Sequence, residues 1–85
     1  MIAGEQLIAR LIEADPQLPG AEDARIAGTG VPVWALIAYL QAAHGDVQRV
    51  ADDYELPLEA IIATRAYYRQ HRALIQDFVS KVGTT

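Results

Sequence analysis

The chain has 85 residues, 52% of them apolar, a formal charge of −4 and a pI near 4.9. A chain this short buries one modest core and sits near the size, roughly 80 residues, below which a core usually needs outside support. The absence of cysteine excludes disulfides and thiolate metal sites, and the net negative charge argues against whole-molecule attraction to nucleic acid or to an anionic membrane.

The charge is unevenly spread. Residues 1–60 carry Arg10, Arg25 and Arg49 against ten carboxylates, whereas residues 61–85 carry Arg65, Arg69, Arg72 and Lys81 against Asp77 alone. Such a split suits contacts between subunits or with a charged partner. The N-terminus has no basic segment leading into a long apolar run, so no secretory signal is read. The uncharged stretch from Ile26 to Gly45 is interrupted by Gly28, Gly30, Pro32, Gln41 and His44, and its apolar part falls short of the roughly 20 residues a membrane span needs. The expectation is a soluble cytoplasmic protein that does not enter a membrane.

In chain order, residues 3–14 place Leu7, Ile8, Leu11 and Ile12 at helical spacing, opposite Glu5, Gln6, Arg10 and Glu13. This reads as a short amphipathic helix ended by Asp15-Pro16. It either packs on its own domain or crosses to a second subunit. Residues 15–24 read as a loop, Arg25-Ile26-Ala27 as a short extended piece, and Gly28-Thr29-Gly30 as a turn. A phosphate-cradling loop is set aside, since GTG lacks the lysine and the spacing. Val31-Pro32-Val33-Trp34 enters a helix to about Ala43, with Val33, Leu36, Ile37 and Leu40 on one face and a stop at His44-Gly45.

The stretch Asp46 to Tyr68 reads as helix, tight turn, helix. Asp46 is an N-cap, and Val47, Val50 and Ala51 face inward over a helix ending near Tyr54. Leu56-Pro57 breaks the chain before a long helix to about Ser80. Ala51, Leu56 and Ile61 fall where a helix-turn-helix unit needs a small residue, a turn apolar residue and a following apolar residue. Glu55 stands where such turns usually carry glycine, so it is expected either to take positive φ or to force another turn. On the long helix Leu58, Ile61, Ile62, Tyr68, Ile75 and Val79 form one seam, and Tyr67, Leu74 and Phe78 a second. The second seam, with Trp34, is the candidate subunit or partner interface. The domain reading is an N-terminal helix and loop (residues 1–23), a helix-turn-helix-like domain (24–80) and a frayed tail (81–85).

Candidate chemistry is sparse. His44 and His71 lie in different helices without a carboxylate at metal-ligand spacing. His71 is expected to pack beside Tyr67. Asp52, Asp53 and Glu55 read as a solvated helix end. No catalytic residue, metal ligand or cofactor site is assigned, and a non-enzyme is expected. A helix-turn-helix suggests DNA, but the first turns of its second helix, Leu58 to Thr64, offer one acid and no base or amide to a groove. Arg65, Arg69 and Arg72 form a stripe farther along. It can contact nucleic-acid phosphates or an acidic partner, and pairing with the acidic half of the same or a neighbouring subunit is the favoured reading.

The segments RIAGTGVPVWALIAYL and GDVQRVADDYELPLEAIIATRAYYRQH resemble the small bacterial domains of unknown-function family 433. Gly28-Thr29, Val33, Ala51, Tyr54, Ala66-Tyr67-Tyr68 and His71 carry the likeness, which covers about residues 24–77. Gly30 departs from the arginine that many members have there. The resemblance implies an all-α, homeodomain-like three-helix core, here flanked by the N-terminal amphipathic helix and the long C-terminal helix, and usually dimeric. It further implies an antitoxin of a type II toxin–antitoxin pair that binds a PIN-like ribonuclease, with DNA bound as a complex. The alternative is a stand-alone helix-turn-helix transcriptional regulator.

Overall fold

A computed structural model describes residues 3–15, 17 and 20–83. The described chain is mostly helical: α1 (Ala3–Leu11), β1 (Ile12–Glu13), a 3-10 turn (Ala21–Asp23), β2 (Arg25–Ile26), α2 (Val33–Ala42), α3 (Val47–Tyr54), α4 (Leu58–Gln70) and α5 (Arg72–Gly83).

The centre is α2. Val33, Leu36, Ile37 and Leu40 are buried, the face its spacing predicts. They meet Val50 and Ala51 of α3, Ala60 and Ile61 of α4 and Ile75 of α5 in one cluster. Thr64 is buried too, and its hydroxyl donates to the Ala60 carbonyl at 2.8 Å, so the polar atom is satisfied within its own helix. The predicted seam of α4 needs one correction: Ile62 is 38% exposed. The buried stripe runs through Ala60, Ile61, Ala63 and Thr64 instead, because α1 lies along α4 and selects which residues are covered.

Local signals set the ends of α2 and α3. The Asp46 carboxylate accepts from the Arg49 N–H at 3.1 Å, capping α3. At its other end Glu55 takes the left-handed conformation (φ 56°, ψ 43°). The Leu56 N–H donates to the Ala51 carbonyl at 2.9 Å and the Glu55 N–H to the Asp52 carbonyl at 3.2 Å. These two bonds satisfy carbonyls that a helix end leaves free. A related pattern ends α2, where His44 (φ 58°) and Gly45 (φ 82°) both take positive φ; the Gly45 N–H reaches the Leu40 carbonyl at 2.9 Å.

Three expectations are corrected. The N-terminal helix ends at Leu11, before Asp15-Pro16; Pro16 itself lies outside the described residues. Ile12 and Glu13 pair with Ile26 and Arg25 in an antiparallel ladder, and Arg25 reaches Glu13 at 3.3 Å and Asp15 at 3.6 Å. The long C-terminal helix is interrupted at His71 (φ −130°, ψ 34°). The chain leaves the α4 axis there, and α5 lies against α2 and the 3-10 turn. Finally, residues 81–83 are the last turn of α5, not a frayed tail; Thr84 and Thr85 lie outside the described residues.

Candidate functional site

The break at His71 decides where the predicted site residues fall. Phe78 turns onto Trp34, edge to face, with ring centroids 5.4 Å apart, and both rings are half-buried. Tyr67 is also half-buried; its hydroxyl donates to the Ala21 carbonyl at 3.1 Å and its ring lies against His71 at 4.5 Å. Burial raises the Tyr67 pKa, and the nearby Glu22 carboxylate raises it further. Leu74 alone of the second seam stays well exposed, at 53%. Of the four candidate interface residues, Trp34, Tyr67 and Phe78 are thus partly engaged within the chain, and Leu74 is the most exposed.

Gln76 is the residue that holds α5, and sequence reasoning passed over it. Its Oε1 accepts from Gln41 Nε2 of α2 at 2.8 Å and from the Tyr68 hydroxyl of α4 at 2.7 Å. A glutamine between apolar positions carries no sequence signal for such a role.

Between the end of α2 and the middle of α4 lies a groove of about 330 Å³, walled by Ile37, Leu40, Gln41, His44, Gly45, Arg65 and Tyr68. Its lining surface is almost wholly apolar although Gln41, His44 and Arg65 contribute to it. Arg72 lies over the Tyr68 ring, 5.7 Å from its centre, a cation–π arrangement. Arg69 is exposed on α4. Tyr68 thus lines the groove together with Arg65 and also carries Arg72 on its ring. The spacing of Arg65 and Tyr68, three apart on one helix, is the signal that could have located the groove. Among the described residues none of the three arginines comes within 4 Å of a carboxylate, while Arg25, Arg49 and Lys81 do. Among the described side chains, the stripe makes no ion pair with the acidic half of its own chain.

The carboxylates are placed differently. Asp53 accepts from the Tyr39 hydroxyl and pairs with Arg49 at 3.6 Å. That hydrogen bond to Asp53 raises the Tyr39 pKa. Asp52 accepts from Gln48 at 2.9 Å. Glu55 and Glu59 are exposed. The glycine turn forms a tight loop in which Thr29 Oγ1 donates to the Ile26 carbonyl at 3.1 Å and accepts from the Val31 N–H at 3.1 Å. Gly30 stands there at φ 76° with open space around it.

Fold and surface together define a small, mostly helical domain with an apolar groove to which Arg65 contributes, and no described helix is long and apolar enough to cross a membrane. The chain matches the family described as "Protein of unknown function (DUF433)" over residues 12–68, and it belongs to that family. The match includes Trp34, Arg65 and Tyr67 and stops before Arg69, Arg72, Leu74 and Phe78. No curated protein and no solved structure matches the chain.

Proposed function

We propose that this chain is a non-catalytic binding module, the antitoxin-like member of a type II toxin–antitoxin pair, which holds a PIN-like ribonuclease. The observation that carries the reading is the groove beside Arg65. Its apolar walls accept an aliphatic or aromatic side chain of a partner, and among the described residues no carboxylate pairs with Arg65 or Arg69. A guanidinium at an interface favours a carboxylate, which it can hold by two parallel hydrogen bonds. A nuclease with an acidic site supplies that chemistry. The acidic end of α3 is the weaker contact surface, because Asp52 and Asp53 are engaged within the chain.

Co-expression with the product of the neighbouring gene tests the reading. A complex that survives purification, together with relief of toxicity, is the expected result. No complex and no relief would overturn it.

One observation favours a second reading. The succession of α2, α3 and α4 with a left-handed turn at Glu55 is the succession a homeodomain-like helix-turn-helix would use, and no described carboxylate engages Arg65, Arg69 or Arg72. Against it, the first residues exposed on α4 are Glu59 and Ile62, which suit neither phosphate nor base edges. If the chain binds DNA alone, its upstream DNA should shift in a gel without partner, and the shift should weaken steeply with salt. No shift at low salt would dismiss this alternative.

A further inference from the structure

The joint between α4 and α5 is a single residue, His71. Nothing in its local sequence stops a helix. Gln70, Arg72, Ala73 and Leu74 are good helix formers, and no glycine or proline stands between Leu58 and Val82. The apolar spacing also runs on across the joint, with Ile61, Tyr68 and Ile75 seven residues apart. Yet His71 sits at φ −130° and ψ 34°, outside the helical region. Its N–H is shared between the Tyr67 and Tyr68 carbonyls at 3.1 Å each. The bend is therefore imposed by what α5 docks onto: Ile75 in the core, Phe78 on Trp34, and Gln76 between Gln41 and Tyr68.

Those docking contacts do not specify whose α5 makes them. A one-residue joint has no slack, and short hinges favour exchange between copies.

We propose that two copies of this chain exchange α5: each α4 and α5 straighten through His71 into one helix, and each α5 docks on the α2 and α4 surface of the other copy. Every contact of Ile75, Gln76 and Phe78 is kept, and His71 returns to helical geometry. Leu74, three residues past the joint and 53% exposed, is covered where the two straightened helices pass. This pairing is independent of any toxin or DNA. The exchanged element, α5, lies beyond the family match, which ends at Tyr68.

The chain has no cysteine, so introduced thiols report cleanly. The variants Gln41→Cys and Gln76→Cys are refolded together and treated with a short bis-maleimide, since their side chains meet at 2.8 Å in the wild type. Exchange gives a covalent dimer containing one chain of each variant. Inserting two glycines after His71 should abolish that product, because the slack lets each α5 stay at home. In the unsubstituted protein, the amides of Arg72 to Leu74 should exchange more slowly in the dimer fraction than in the monomer. A dimer in which the double variant Gln41→Cys/Gln76→Cys links only within one chain would overturn the proposal. So would a wild-type protein that stays monomeric at the highest concentration at which it is soluble.

Discussion

Two charged regions lie on either side of the turn at Glu55, and they are used differently. On α3 the carboxylates work within the chain: Asp46 caps the helix, Asp52 holds Gln48, and Asp53 takes both Tyr39 and Arg49. On α4, Arg65 and Arg69 are exposed, and no described carboxylate pairs with them. A side chain engaged at home contributes to folding. One left in water contributes little to stability and remains available to a partner. The acid-rich surface is thus part of the fold, and the arginine surface is part of what the fold presents.

Substitutions on the acid side should lower stability. Asp46→Ala removes the cap of α3 and should cost about 1 kcal/mol in urea unfolding. Asp53→Ala releases Tyr39 and Arg49 and should lower stability by less than Asp46→Ala does in the same unfolding experiment. Glu55→Gly should act in the opposite direction. Left-handed geometry costs a residue with a Cβ roughly 1–2 kcal/mol. The greater freedom of glycine in the unfolded chain offsets roughly 0.5–1 kcal/mol of that. A net gain of about 0.5 kcal/mol is expected, read as a rise in melting temperature.

On the arginine side, Arg65→Ala and Arg69→Ala should each leave unfolding within about 0.5 kcal/mol of wild type. If they destabilise as much as Asp46→Ala, the contrast between the two regions fails. The smallest effect concerns pH. Asp53 raises the Tyr39 pKa in the folded chain, so the neutral phenol is favoured there. The stability from this bond is present below pH 10 and is lost as the pH rises through the raised folded value. Tyr39→Phe should therefore flatten part of the alkaline loss in denaturant titrations.

The same division explains what was legible in the sequence. The cap at Asp46, the positive φ at Glu55 and the inward face of α2 depend on neighbours within a few residues, and the pattern shows them. The ladder of Ile12–Glu13 with Arg25–Ile26 is only two residues long, too short for an alternation to register. The bend at His71 has no local cause, so a continuous helix was the natural expectation, and tertiary packing overrode it. The arginine stripe was visible as a spacing on α4. The groove beside it was not, because His44 and Gly45 reach it from the end of a different helix.

The central claim is that the groove and its arginines are the partner-binding surface. The most direct measurement is the affinity of the purified chain for the purified product of the neighbouring gene, for wild type and for Arg65→Glu/Arg69→Glu. The double variant should keep its melting temperature and lose binding by roughly 100-fold, as charge reversal at an interface does. Unchanged affinity in a folded double variant would contradict the account.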